Sequence, residues 1–88
     1  MDIPGTLRSR LADLAPVALE IHDDSVEHAG HAGAAAGAGH FSLLIVSKAF
    51  RGQPRLERHQ TIFARVGDLL PHPIHALSIR ALAPEEFS

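Results

Sequence analysis

The chain of 88 residues contains no Cys, no Trp and no Tyr. Without Cys it has no disulfide, no thiol nucleophile and no thiolate with which to hold a metal on its own. It also lacks an excess of positive charge, with 8 Lys+Arg against 10 Asp+Glu and a formal net charge of −2. Proteins that coat nucleic acid by neutralising phosphates are usually clearly basic, so a purely electrostatic DNA-coating role is excluded and only a local basic patch remains. No apolar run approaches the length of a membrane span, and Met1-Asp2-Ile3-Pro4-Gly5 shows no basic-then-apolar signal pattern. The expectation is a soluble, cytoplasmic protein with no membrane partner. There is no serine in a glycine elbow, no phosphate-binding Walker loop and no pair of acids in an evident cleft, so the expectation is a protein that is not an enzyme.

What is present suffices for one small domain over residues 1–88. Hydrophobic residues make up 45%. Much of that is Ala, yet Leu, Ile, Val and Phe exceed the level at which disorder is expected. Leu7, Leu11 and Leu14 recur at helical spacing after Thr6, a candidate N-cap, and Pro16 ends that helix. Val17, Leu19 and Ile21 alternate with Ala18, Glu20 and His22, the pattern of a half-buried strand closed by Asp23-Asp24-Ser25. Residues 26–39 are mostly Gly and Ala and are expected to form a flexible, His-bearing loop. The run from His40 to Ser47 fits a central strand covered on both faces.

Lys48 to Pro54 reads as a turn, with Pro54 suited to a helix's first position. Leu56, His59, Phe63, Val66 and Leu70 then step by three or four along an amphipathic helix that bends near Gly67. Pro71-His72-Pro73 breaks it, Ile74 to Ala81 forms a third strand, and Pro84-Glu85-Glu86-Phe87 forms a terminal helical turn. The order α-β-β-α-β, with a helix between the second and third strands, predicts an antiparallel pair followed by a parallel pair. The fold class is therefore α+β, a three-stranded mixed sheet with helices packed on one face.

Seven His in so short a chain is the chemical feature that stands out. Imidazole is the one borderline-soft metal ligand available here. His28 and His31 sit in the loop, and their spacing alone matches neither a zinc finger nor a His-Glu-x-x-His helix. His59 lies on the helical apolar stripe and reads as structural. His75 lies at the start of a strand, where a ligand is held rigidly and stays accessible. Asp23-Asp24 beside His28 reads as a solvated charge cluster rather than an acid/base pair. Lys48, Arg51, Gly52, Arg55 and Arg58 form a local basic patch around a glycine-containing turn at a helix start, a place that can hold a phosphate.

The ordered set Asp23-Asp24-Ser25, His28, His40-Phe41, Val46-Ser47, Phe50-x-Gly52, Arg58-His59-Gln60, Ile74-His75-Ala76-Leu77 and Ala83-Pro84-Glu85 resembles the BolA-like family, from about Leu7 to Glu86. Departures are Asp24 for Glu, Gln60 for a second Arg, Ala83 for Thr, and the Gly/Ala expansion of the loop. The resemblance implies a class II KH-like fold. It also implies a monothiol glutaredoxin as partner and a shared, bridging [2Fe–2S] cluster, with sulfur ligands from the glutaredoxin and its bound glutathione. The histidines implied on this side are His75 and a loop histidine, His28 by position with His31 as substitute. No cofactor is expected on the isolated chain, and a weak homodimer is allowed for. Mixed His/Cys ligation is sound chemistry for such a cluster. The alternative is a nucleic-acid-binding transcriptional regulator using Lys48, Arg51, Gly52, Arg55 and Arg58, a role that Gln60 weakens by removing a positive charge.

Overall fold

The structure, a computed structural model, describes residues 2–24 and 39–87. The first helix, α1, runs Ile3–Leu11 and starts earlier than Thr6 suggests. Asp2 is its N-cap, and its carboxylate accepts from the Gly5 N–H at 3.1 Å. The Thr6 hydroxyl instead donates to the Asp2 carbonyl at 2.9 Å. Leu7 and Leu11 are fully buried, and a 3-10 turn over Ala12–Leu14 buries Leu14. The chain then leaves the helix at Ala15, left-handed with φ 48° just before Pro16, its N–H bonded to the Ala12 carbonyl.

Strand β1 is Ala18–Asp23 and β2 is Gly39–Val46, antiparallel with Leu19 opposite Ile45. The second helix, α2, spans Arg55–Val66, and β3, Ile74–Leu82, pairs parallel to β2. The sheet order is β1-β2-β3, with β2 central as the sequence predicts. A short helix α3, Pro84–Phe87, closes the described chain.

Several sequence expectations need correction. Val17 lies outside β1 and is 62% exposed, because the strand begins only at Ala18. Gly39, expected as the last loop residue, is the first of β2. Residues 26–38, with His28 and His31, lie outside the described residues. The β2 strand is packed on one face: Phe41, Leu43 and Ile45 are buried toward the helices, while Ser42 and Leu44 alternate onto the other face and are half-buried. Pro54 is the N-cap of α2 rather than its first turn. The buried side of α2 is Ile62 and Val66, continued by Leu69 in a 3-10 turn, Gly67–Leu69, where the sequence placed a bend. Leu56 and Phe63, counted on the apolar stripe, are 69% and 40% exposed.

Phe50, fully buried, pins a 3-10 turn over Lys48–Phe50 to the same core as Leu7, Leu11, Ile45 and Ile62. Two arginine forks tie α1 to the end of α2. Arg10 donates to Asp68 at 2.6 and 3.1 Å and to the Arg65 carbonyl at 2.8 Å. Arg65 donates to Asp13 through two bonds of 2.8 Å. Such bidentate pairs fix orientation more than they add stability at a surface.

Candidate functional site

Because β2 and β3 run parallel, both begin at the same end of the sheet. Gly39 pairs with Ile74, and the next residue of β2, His40, pairs with Ala76. One residue of β3, His75, is therefore extra to the pairing, and the register shifts there. A bulge of this kind frees a side chain from the ladder and re-aims it. Ile74, fully buried, anchors the strand immediately before it. The backbones come close at this point: the Gly39 N–H donates to the Pro73 carbonyl at 3.3 Å, and a Cβ at Gly39 would fall 2.6 Å from the Phe41 ring. Glycine is what this crossing requires.

The consequence is a pair of imidazoles. The His40 and His75 rings are 5.3 Å apart between centroids and tilted by 53°. His75 is exposed and His40 half-buried. The exposure of His75 meets the requirement that it reach a ligand outside the chain. The sequence reading placed His40 at a strand start but did not pair it with His75; the parallel register and the extra residue that bring them together are not local features. Beside them, the Asp24 N–H donates to the His40 carbonyl at 2.7 Å, and the Ser42 hydroxyl donates to the Asp24 carboxylate. These bonds hold the end of β1 against β2.

The other described histidines lie apart from this pair. His22 is on the helix-free face with Nε2 3.8 Å from Glu20, His59 is half-buried on α2, and His72 is exposed in the turn before β3. Among the described residues no group of three or more His, Asp or Glu gathers as a metal cage. Two imidazoles do not complete a tetrahedral shell, so any metal here draws further ligands from elsewhere.

The basic turn lies at the opposite end of β3. Gly52 adopts φ +76°, which a side chain would resist. Arg51 donates through Nε to both carboxylate oxygens of Glu85, at 3.1 and 3.0 Å. Arg58 is more deeply engaged. It donates to the Gln53 carbonyl at 2.8 Å, the Ala81 carbonyl at 3.0 Å and Glu86 at 2.6 and 3.2 Å. Glu86 also accepts from the Ala83 N–H at 2.6 Å, half of a capping box at the start of α3.

The Arg58 hydrogen bonds, then that of the Ala83 N–H, hold the Glu86 carboxyl below its ordinary range. A hydrogen bond to its own backbone, then Arg51, does the same for Glu85. Lys48 and Arg55 are exposed and make no ion pair among the described residues. A groove of about 700 Å³ runs beside them, walled by Arg55, Arg58, His59, Arg80 and Glu86. The five patch residues named from sequence are thus neighbours, but two of their four cations are already bound by acids.

The family described as BolA-like protein matches residues 11–86. This chain belongs to the BolA-like family. It is 46% identical over 79 residues to SufE-like protein 1, chloroplastic/mitochondrial, of Arabidopsis thaliana, covering 84% of this chain and 21% of that protein. It is 33% identical over 75 residues to the DNA-binding transcriptional regulator BolA of Haemophilus influenzae, covering 85% of this chain and 70% of that one. Among solved structures, BolA1 from Arabidopsis thaliana superposes with a TM-score of 0.82 at 32% identity, covering 100% of this chain and 99% of that one. The three-stranded mixed sheet is therefore the KH-like BolA fold. The chain spans 21% to 62% of the length of the plant and mammalian relatives it matches. No helix among the described residues is long and apolar enough to cross a membrane.

Proposed function

We propose that this BolA-like protein is a non-enzymatic partner of a monothiol glutaredoxin and contributes histidine ligands to a shared [2Fe–2S] cluster in iron–sulfur assembly, trafficking or iron and redox regulation. The cytoplasm is the expected compartment. The observation that supports the reading best is the exposed His75, extra to the strand pairing and 5.3 Å from His40. The donor set suits the group. A chain with no Cys cannot hold such a cluster alone, whereas exposed imidazole at the rim of a rigid sheet can replace thiolate on one iron. When bound, the cluster supplies one-electron redox chemistry at a potential that His ligation raises above that of all-Cys sites.

This chain's own part is positional. His75 would be the ligand fixed by the sheet, with His28 or His31 as the loop ligand inferred from sequence and His40 as the imidazole the fold brings nearest. Ligation by imidazole displaces a proton, so association with the cluster should weaken in acid. The test is to mix the full chain with a cluster-loaded monothiol glutaredoxin and follow visible absorption and circular dichroism. The spectrum should shift, and His75→Ala should abolish the shift while His72→Ala preserves it. An unchanged shift in His75→Ala removes His75 as a ligand.

A second reading is nucleic-acid binding through the basic turn, supported by the resemblance to the DNA-binding transcriptional regulator of Haemophilus influenzae and by the shared location of Lys48, Arg51, Gly52, Arg55 and Arg58. Against it stand the bonds of Arg51 and Arg58 to Glu85 and Glu86. Salt-dependent binding of DNA or RNA by the isolated chain, lost in Arg55→Glu, supports this second role; no binding at low salt ends it.

A further inference from the structure

The helix-free face of the sheet carries an acid and a base that are not paired with each other: among the described residues Glu20 has only the His22 imidazole within ion-pair reach, with Nε2 at 3.8 Å. Pairing sets Glu20 of β1 opposite Leu44 of β2, and Leu44 beside Arg80 of β3, so one row across the sheet reads acid, leucine, base. The next row reads His22, Ser42, Ser78. Glu20 and Arg80 are exposed and Leu44 is half-buried. Two strand spacings, roughly 10 Å, separate the backbones of Glu20 and Arg80, and the two side chains form no ion pair with each other. Arg80 makes no ion pair among the described residues. Beside Leu44, the small Ser42 and Ser78 leave a hollow of about 220 Å³.

A row of this kind is complementary to itself when reversed. A twofold axis along β2, in the plane between two facing sheets, lays Leu44 on Leu44 and sets each Glu20 against Arg80 of the second copy. An axis along the row would set Glu20 against Glu20 and Arg80 against Arg80, which like-charge repulsion disfavours. We propose that this face is the contact between two copies of the chain, with the axis along β2, Leu44 at its centre and two Glu20–Arg80 pairs flanking it. The face is small. Three strands at ~4.8 Å and about five residues at ~3.4 Å cover far less than the ~800 Å² per partner of stable complexes, so the dimer forms only at high concentration. This inference does not depend on the cluster reading.

Sedimentation equilibrium on the full chain, from about 10 µM to about 1 mM at low salt, tests it. The mass should rise toward two copies and fall back at high salt. Glu20→Arg or Arg80→Glu alone should weaken association at least ~10-fold, since symmetry turns each single change into two repulsive contacts. The Glu20→Arg, Arg80→Glu double variant should restore it, and Leu44→Ser should weaken it without a charge change. Far-ultraviolet circular dichroism confirms that each variant is folded. A mass of one copy throughout the range overturns the proposal, as does a double variant that associates no better than the single ones.

Discussion

The two ends of β3 solve opposite problems. At its start, His75 stands outside the strand pairing, exposed, beside a half-buried His40. At its finish, Arg58 is spent on two backbone carbonyls and one carboxylate, and Arg51 on another carboxylate. The imidazole end is a backbone that turns one side chain, His75, out to solvent. The guanidinium end is a set of side chains consumed in fixing the backbone. Residue type alone does not mark a site: two of the four cations in the basic cluster are tied to acids, whereas the exposed imidazole of His75 stands where one extra residue is threaded into a strand.

The largest break in this comparison comes from the anchor of the guanidinium end. Phe50 is fully buried under the turn that carries Arg51 and Gly52. Phe50→Ala should cost about 3–5 kcal/mol in urea or thermal unfolding, enough to threaten an 88-residue domain. A loss under ~1 kcal/mol would mean that the turn is held by its surface bonds and not by the core.

Next in size is Arg58→Ala. The Arg58 side chain is only 13% exposed, and its removal takes the guanidinium donor from the Ala81 and Gln53 carbonyls and leaves Glu86 with the Ala83 N–H alone. The expected cost is roughly 1–3 kcal/mol, with Arg58→Lys recovering only part of it because ammonium cannot span the same acceptors. At the other end of β3, His75→Ala should change stability by no more than about 0.5 kcal/mol while abolishing the shift in the cluster spectrum. That contrast is the sharpest form of the comparison. A His75→Ala loss as large as that of Arg58→Ala would make His75 a structural residue.

Much of this was legible in the sequence, and what was not has a physical cause. Leu7, Leu11 and Leu14, the centrality of β2 and the parallel β2–β3 pair follow from local periodicity and connection length, and all are found. Sequence spacing puts Leu56, His59, Phe63, Val66 and Leu70 on one stripe of α2. Packing against Leu11 and the sheet turns the helix so that Ile62, Val66 and Leu69 are buried, leaving Leu56 and Phe63 in solvent. Asp2 rather than Thr6 caps α1 because a Pro at its second position still allows an earlier start. The His40–His75 approach depends on a single-residue shift between residues 35 positions apart in sequence, and the Arg58–Glu86 bond joins residues 28 apart. Neither leaves a periodic trace.

The smallest effect concerns acid. Asp13 and Asp68, hydrogen-bonded by Arg65 and Arg10, have carboxyls held below their ordinary range, as do Glu86 and Glu85. A carboxyl depressed in the folded state binds fewer protons than in the unfolded chain, so its contribution is complete above the ordinary value and is lost as pH falls through the folded one. These groups are solvent-exposed, so each contribution is modest and screened by salt. Denaturation of the Asp13→Asn, Asp68→Asn double variant should show a deficit against wild type near neutral pH that closes below about pH 4. The matching Glu85→Gln, Glu86→Gln variant should behave alike while leaving the cluster spectrum untouched, because its charges serve the far end of β3. A deficit that persists unchanged into acid would assign the clamps to packing of the arginine stems rather than to charge.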